Sequence, residues 1–191
     1  MQTKKVKTVE MDRKKIGTTD MAYIAIGAVL IAICSWISIP VVVPFTLQTF
    51  AVFLLIMLLG GMKATISVAV YILVGAVGVP VFAGFGAGIG VLFGKTGGYI
   101  IGFLFMGPIF WLIAKLFGKK LLVQILALVT GLLVCYAFGT AWFIYIYMRD
   151  TGDVGLMTVL SWSVFPYIIP DAVKMAVAVL ISRKFGGRIR R

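Results

Sequence analysis

Long apolar runs alternate with short polar, proline or glycine breaks along most of the chain. Several runs approach the roughly 20 apolar residues that a helix needs to cross a bilayer. Proline suits the first turn of a helix better than its middle, so we expect the last helix to begin at Pro170. The pattern predicts six spans, over residues 21–39, 45–59, 64–79, 99–117, 121–147 and 170–184, with a short apolar segment at 156–164 before the last.

Residues 80–98 differ from the apolar runs because they are rich in glycine and aromatic residues. We expect an irregular loop on the outer face, between helices three and four. Non-helical backbone at membrane depth is tolerated where it is buried or lines a cavity, which favours a lid that covers a binding site. A plain interfacial loop anchored by its aromatic side chains is the alternative.

The composition supports a membrane protein. Hydrophobic residues make up 62% of the 191 residues and charged residues 13%, with a mean hydropathy of +1.12. A soluble domain is usually about half apolar and about a quarter charged. We therefore predict an all-α integral membrane protein with one six-helix domain over residues 21–185. A basic arm at residues 1–20 and a basic tail at 186–191 would flank it on the cytoplasmic side.

The basic residues predict an orientation, because lysine and arginine concentrate in the cytoplasmic loops of membrane proteins. With the N-terminus inside and six spans, fifteen of the 18 basic residues fall on the inner side. Lys95 and Arg149 fall outside, and Lys174 falls within the last span. We therefore expect a multi-pass protein of the cell membrane with both termini in the cytoplasm.

Catalytic and nucleotide-binding chemistry finds little support in the sequence. The chain has no histidine, and its two cysteines lie in separate apolar runs, which argues against zinc sites and His-based catalysis. The net charge is +12, but the basic residues flank apolar segments and do not form one basic stripe. Nucleic acid is therefore not an expected partner. Gly94-Lys95-Thr96 match the end of a P-loop, but Ile89 replaces its first glycine. We expect neither an enzyme, nor an ATP site, nor a cofactor.

Asp171 and Lys174 are ionisable residues inside a predicted span, where each costs about 2.5–3.5 kcal/mol on insertion scales. Their i, i+3 spacing places them on one helical face, where they partly neutralise each other. At a helix that begins at Pro170, the helix dipole would also favour the Asp171 carboxylate. The pair indicates a polar site that faces a cavity, and the alternative is a structural ion pair.

Further candidate site residues lie at a similar outer depth. Gln48 stands near the outer start of the second span, where it is either an interface residue or part of the same pocket. Phe82, Phe85 and Tyr99 would supply apolar walls from the glycine-rich segment. An acid, a base, an amide and aromatic rings together suit a small amphipathic molecule that enters from outside.

A stripe of small residues follows the first span. Ala22, Ala25, Ala28 and Ala32 fall within about one third of the helix circumference at 100° per residue. Such a stripe allows another helix to approach closely. It predicts either packing within the bundle or a docking face for a different membrane subunit.

Three ordered motifs connect the chain to a transporter family. They are PFTLQ at residues 44–48, the segment from GVPVF to GKTGGY at residues 78–99, and PYIIPDAVK at residues 166–174. This set, within residues 21–183, resembles the biotin-specific substrate-binding subunits (BioY) of energy-coupling factor transporters.

The resemblance implies a six-helix subunit that binds biotin from outside and releases it inward with a coupling transmembrane subunit and two cytoplasmic ATPases. Biotin would be a ligand, and ATP would be used by the partner subunits alone. Asp171 would accept from the ureido N–H groups of biotin, and Lys174 would donate to the ureido oxygen or to the valerate carboxylate. The expected substrate-binding residues are Asp171, Lys174, Gln48, Phe82, Phe85, Tyr99 and Tyr167, and the alanine stripe would be the docking face for the coupling subunit.

Two positions depart from that family. Lys95 stands where proline is common, and Ile100 stands where some members carry an arginine that is a candidate partner for the ligand carboxylate. The residue that holds this carboxylate is therefore left open, with Lys95 as one candidate.

A self-sufficient secondary carrier is the alternative function, with Asp171 as its proton or cation site. Such a carrier would work without any ATPase partner. No repeat is evident between the two halves of the chain, which counts against the inverted-repeat architecture of many carriers.

Overall fold

The computed structural model describes residues 17–189, with side chains described through residue 185. Within these bounds the prediction of an all-α protein is confirmed. Most of the predicted arm, residues 1–16, and the side chains of the predicted tail, residues 186–191, lie outside the described part. The helices are α1 (Thr18–Trp36), α2 (Gln48–Leu59), α3 (Gly61–Ala76), α4 (Ile89–Leu92), α5 (Gly97–Phe117), α6 (Leu121–Asp150), α7 (Leu156–Ser163) and α8 (Phe165–Ile189).

Four stretches of the described chain are long and apolar enough to cross a membrane. They are α1, α5, α6 and the combined stretch Leu156–Phe185, which contains α7 and most of α8. The helices α2 and α3 are also apolar but shorter. Large apolar side chains lie on the outer surface of the bundle, as expected for a protein whose solvent is lipid. Examples on different helices are Ile26, Leu73, Leu116, Leu133 and Leu180.

Two glycines end helices where the sequence predicted breaks. Gly60 separates α2 from α3 with a φ of 84°, and Gly118 follows α5 with a φ of 90°. A left-handed backbone conformation is accessible to glycine at little steric cost, so the chain reverses direction at both points. Both glycines lie between the spans that the sequence predicted.

The last helix begins earlier than predicted, and this corrects the position of Asp171. The helix α8 starts at Phe165 and contains Pro170. Pro166 occupies the first turn, where its missing N–H is not needed, and Pro170 removes one further backbone donor that the helix tolerates in a membrane protein. Asp171 is therefore the seventh residue of α8, and the dipole at a helix start does not explain its charge.

A small β-hairpin connects α1 to α2. Strands β1 (Ser38–Ile39) and β2 (Phe45–Thr46) are antiparallel, with Ser38 opposite Thr46 and Ile39 opposite Phe45. The turn between them carries the two prolines that predicted a break. The hairpin places Phe45 and Thr46 just before the first turn of α2.

Residues 77–96 form the covering segment, which includes a 3₁₀ turn at Ala83–Phe85 and the single-turn helix α4. Its backbone is held by neighbouring helices. Trp36 Nε1 donates to the Pro80 carbonyl at 2.9 Å, and Trp142 Nε1 donates to the Gly94 carbonyl at 3.0 Å. Gly88 N–H donates to the Gly75 carbonyl at 2.8 Å. These bonds fix both flanks and the middle of the segment.

The helices pack in two main contacts around this segment. The helix α5 lies along α6, and α2 lies along α8. Glycines allow the first contact, because a Cβ built on Gly98 would lie 2.3 Å from the Trp142 Cβ, and one on Gly139 would lie 2.2 Å from the Tyr99 ring. The second contact is where the polar side chains meet.

Candidate substrate-binding cavity

A cavity lies between α2, α5, α6, α8 and the covering segment. It contains about 640 Å³ of space not filled by atoms, part of which is open solvent. Apolar and polar side chains share its wall. The lining residues are Val43, Pro44, Thr46, Gln48, Thr49, Ala83, Thr96, Tyr99, Ile100, Phe103, Cys135, Tyr136, Ser163, Tyr167, Asp171 and Lys174.

Asp171 and Lys174 form an ion pair in this wall. Lys174 Nζ lies 2.8 Å from Asp171 Oδ1, as the i, i+3 spacing predicted. Asp171 is 1% exposed and Lys174 is 7% exposed. Burial of two charges is costly unless each also finds hydrogen-bond partners, and both residues find them.

Asp171 accepts hydrogen bonds from three helices. Lys174 of its own helix and Thr49 Oγ1 of α2 both donate to Oδ1, each at 2.8 Å. Tyr136 of α6 donates its hydroxyl to Oδ2 at 2.5 Å. We call Asp171, Lys174, Thr49 and Tyr136 the polar cluster. It joins α2, α6 and α8 at the cavity.

Lys174 has further partners on the α2 side. Its ammonium group donates to the Thr46 carbonyl at 2.7 Å and to Thr49 Oγ1 at 3.1 Å, besides Asp171. It also lies 4.2 Å from the centroid of the Phe45 ring, a cation–π contact. The hairpin and the first turn of α2 therefore hold the lysine in one place.

Gln48 lines the cavity and is 4% exposed. Its Nε2 donates to the hydroxyl of Tyr71 on α3 at 2.8 Å. The predicted amide therefore lies at the same cavity as Asp171 and Lys174, although one of its donors is directed to a neighbouring helix.

Two tyrosines form the aromatic part of the wall. Tyr99 lies over Gly139, and its hydroxyl is 3.1 Å from Thr140 Oγ1. Tyr167 donates its hydroxyl to the Val43 carbonyl, and its ring stacks on Phe45 with centroids 5.9 Å apart. Both hydroxyl groups form contacts within the protein, so the aromatic rings are the parts of these side chains that would contact a ligand.

Phe82 and Phe85, predicted as cavity walls, are not among the lining residues. Phe82 is fully buried against Tyr71, edge-on at 5.5 Å, and occupies the space left by Gly75, where a Cβ would lie 2.2 Å from the ring. Phe85 is 63% exposed and stacks on Trp36 at 5.3 Å. The covering segment thus directs one ring into the core and the other onto α1.

The alanine stripe on α1 is divided by the packing of the bundle. Ala28 and Ala32 are buried in the core, whereas Ala22 and Ala25 are exposed. The stripe runs across the boundary between the inward and the outward face of α1, because it covers a third of the circumference. Ala28 and Ala32 therefore pack inside the bundle, whereas Ala22 and Ala25 are accessible to a partner, and a docking face on this helix stays a prediction.

Sequence reasoning missed two members of the polar cluster. Thr49 follows Gln48 directly, and its position next to a predicted site residue was the one signal that pointed to it. Tyr136 lies in a long apolar run whose faces cannot be distinguished by hydrophobicity. Among the described residues, no group of three or more His, Cys, Asp or Glu side chains is placed to hold a metal ion.

Comparison with known proteins gives consistent matches. The BioY family model matches residues 3–191. "Biotin transporter BioY" of Thermotoga maritima is 41% identical over 80% of this chain and 87% of its own length. "Probable biotin transporter BioY" of Pyrococcus horikoshii is 38% identical over 88% of this chain and 96% of its own length.

A solved structure shares the fold. The S-component for biotin from an ECF-type ABC transporter, solved at 2.1 Å, superposes with a TM-score of 0.77. The match covers 88% of this chain and 91% of that chain, at 24% identity. The family model covers nearly the whole sequence and the curated relatives most of it, so this chain belongs to the BioY family.

Proposed function

We propose that this chain is the substrate-binding subunit of a biotin uptake system, which takes up the vitamin from outside and releases it inward with an ATP-driven energy-coupling factor module. One observation carries the proposal. A fully buried carboxylate, Asp171, lies in the wall of a largely apolar cavity and is fixed there by three helices. Biotin combines an apolar body with ureido N–H groups, and such a site fits both parts.

The named relatives support the choice of substrate. The solved protein that shares the fold is the S-component of an ECF-type ABC transporter, which supports an ECF module as the partner. This module would consist of a coupling transmembrane subunit and two cytoplasmic ATPases. The subunit itself binds and releases a ligand, so no catalytic step is assigned to it. No cofactor is expected beyond the ATP that the partner subunits use.

Four of the five predicted site residues that line the cavity receive a direct role towards the ligand. Asp171 accepts from the ureido N–H groups of biotin, because a carboxylate is an acceptor in a hydrogen bond. The rings of Tyr99 and Tyr167 enclose the apolar body, together with Phe103. Gln48 contributes its amide at the α2 side of the wall.

The topology that we propose has six spans with both termini in the cytoplasm. Besides the four long apolar stretches, α2 and α3 are apolar and are joined at Gly60, so each would cross the membrane with a short span. The cavity then opens to the outside. Lys63 near the α2–α3 turn pairs with Asp20 at the start of α1, which supports placement of both helix ends on one side.

The surface that would contact the coupling subunit is the exposed face of α1. Ala22 and Ala25 keep the small-residue character of the predicted stripe, and Ile26 and Val29 are exposed beside them. Small side chains on a lipid-facing helix let a partner helix approach closely. Ala25→Trp, which adds a bulky ring to this face, is expected to reduce transport while leaving biotin binding by the isolated subunit unchanged.

A secondary carrier with Asp171 as a proton or cation site receives less support. The Asp171 charge is already balanced by Lys174 at 2.8 Å, so a further cation would compete with a buried ammonium group. Transport that persists without ATPase partners but stops with an uncoupler would restore that alternative.

A binding titration tests the proposal. The full chain, purified in detergent, is titrated with biotin, thiamine and riboflavin. Tight binding of biotin alone is expected. Equal binding of the three vitamins, or binding of none, would contradict the proposed function.

A further inference from the structure

The cavity contains no net charge that could attract an ionised ligand. Asp171 and Lys174 are the charged residues among the described side chains that line it, and they are paired with each other. Biotin carries a carboxylate, and the proposed function leaves open where this group lies. The hydrogen-bond partners of Lys174 and Asp171 show whether either residue can bind this carboxylate.

Lys174 has no N–H left for a ligand. A lysine ammonium group has three donors. They are directed to the Thr46 carbonyl at 2.7 Å, Asp171 Oδ1 at 2.8 Å and Thr49 Oγ1 at 3.1 Å, and the Phe45 ring covers another side. A ligand carboxylate would have to displace one of these bonds to reach the ammonium group. Lys174 thus acts as a positioning residue for Asp171.

Asp171 retains capacity for a ligand N–H. A carboxylate offers about four acceptor sites. Three donors occupy them here, two at Oδ1 and one, from Tyr136, at Oδ2. The remaining site at Oδ2 suits a donor, whereas a second carboxylate nearby would be repelled by the like charge. The site therefore favours the neutral, donating end of the ligand.

Other cations at the cavity end of the bundle are engaged elsewhere. Lys95 donates to Thr151 Oγ1 at 3.1 Å and lies 4.4 Å from the centroid of the Tyr147 ring. Arg149 pairs with Asp150 at 2.8 Å. Neither Lys95 nor Arg149 is a lining residue of the cavity. The candidate role of Lys95 as carboxylate partner is not supported by these contacts.

We propose that this chain recognises biotin through its ureido head alone, leaves the ligand carboxylate in water at the open side of the cavity, and forms no ion pair with it. Neutral derivatives altered at the carboxyl group then belong to its substrate class. The inference rests on the proposed function. It adds that the carboxylate end of the ligand makes no specific contact with the protein.

Binding of biotin is compared with binding of biotinamide, whose neutral NH₂ replaces one carboxylate oxygen at nearly the same size. The full chain is titrated in detergent with both ligands, and with biotin methyl ester, at neutral pH. The dissociation constants of biotin and biotinamide are expected to agree within about threefold, with little dependence on salt. If biotin formed an ion pair inside the cavity, biotinamide would lack it, and its dissociation constant would be about tenfold higher or more.

The outcomes separate this inference from the proposed function. Tight biotin binding with biotinamide weaker by tenfold or more would overturn the inference and leave the proposed function intact. Failure of biotin itself to bind would overturn both. The ester extends the comparison, and binding of biotinamide and ester alike would show that the end of the ligand chain is free.

Lys95→Met provides a second test, because it removes the cation that the family comparison makes a candidate. Biotin affinity is expected to stay within threefold of that of the unmodified chain. A tenfold loss for biotin, with unchanged affinity for biotinamide, would identify Lys95 as a carboxylate partner and overturn the inference. An equal loss for both ligands would show that the charge of the ligand is irrelevant, in agreement with the proposal.

Discussion

Helices meet in two very different ways in this bundle. At the contact between α3 and α5, which we call the glycine contact, a Cβ built on Gly107 would lie 2.1 Å from Thr65 Oγ1 and 2.4 Å from the Gly61 carbonyl oxygen. The backbones touch, and no space remains. At the polar cluster, side chains of α2, α6 and α8 are joined by hydrogen bonds, and a cavity that is partly open to solvent lies beside them.

The difference shows how one small chain combines rigidity with a binding site. In lipid, apolar burial gives helices little reason to associate, so close packing and hydrogen bonds must hold them. The glycine contact depends on close packing, and the polar cluster depends on hydrogen bonds. Changes at either place are expected to have separable effects on stability and on binding.

Asp171→Asn is expected to have the largest effect. The substitution leaves Lys174 buried without its counter-charge, which typically costs about 3–5 kcal/mol, and it removes the acceptor for the ligand. We expect a strongly lowered unfolding temperature in detergent and a loss of biotin affinity of roughly a hundredfold or more, at about 1.4 kcal/mol for each tenfold. Unchanged affinity in the purified variant would contradict the proposed role.

The double variant Asp171→Leu/Lys174→Met separates the two consequences. Replacement of a buried ion pair by apolar side chains is often neutral or stabilising. We expect thermal stability close to that of the unmodified chain, together with no biotin binding. Recovery of binding would show that the pair is structural.

Gly107→Ala is expected to break the glycine contact. Its new methyl group overlaps the Gly61 carbonyl, which belongs to a helix and cannot rotate away, and overpacking costs about 1–3 kcal/mol. We expect a lower unfolding temperature, with biotin affinity of the folded protein within about threefold of the original, since Gly107 does not line the cavity. The matched control is Gly90→Ala, where nothing lies within 4 Å of the new methyl group. Equal stability of the two variants would contradict the close approach.

Tyr136→Phe tests a member of the polar cluster that sequence did not reveal. Hydrogen bonds to charged groups contribute about 1.5–3 kcal/mol, and this variant removes one from Asp171 Oδ2. We expect biotin affinity to fall about tenfold, since the carboxylate loses the contact that orients it. Tyr145→Phe, on an exposed position of the same helix, serves as the control and is expected to bind normally. Similar affinities of the two variants would argue against the assignment.

Trp142→Phe is expected to have the smallest effect. The ring contact with Phe93 is kept, but the bond to the Gly94 carbonyl is lost, at a net cost of about 1 kcal/mol. Because this bond fixes one flank of the covering segment, dissociation of biotin should become about fivefold faster. The control is Trp111→Phe, on the outer surface of α5. Identical dissociation rates would show that the segment does not retain the ligand.

The sequence predicted the class of fold and half of the polar cluster, for identifiable reasons. Apolar runs, glycine breaks and basic turns are local signals, so helices such as α5 and α6 were placed within a few residues. Asp171 and Lys174 were conspicuous because charges are expensive in a span. Tyr136 was not, because an apolar helix in lipid has no hydrophobic period that marks its inner face.

Two further features of the structure differ from what the sequence led us to expect. Phe82 faces the core instead of the cavity because Gly75, seven residues earlier, leaves room for its ring. The start of α8 was misplaced because Pro170 was assigned to the first turn of the helix, whereas Pro166 lies there and Pro170 is tolerated inside the helix. The local preference of proline for a first turn does not say which of the two prolines takes that position.

The covering segment is attached to the bundle through its main chain. Its carbonyls at Pro80 and Gly94 accept from tryptophans of α1 and α6, that at Val81 accepts from Ser35, and the Gly88 N–H bonds to α3. Every residue type carries a carbonyl, so the attachment at residues 80, 81 and 94 places few demands on the side chains, whereas Gly88 has a φ of 85° that favours glycine. In evolutionary terms, this cover can change its sequence and hence its ligand-facing surface while the helices beneath it, and their assembly, stay the same.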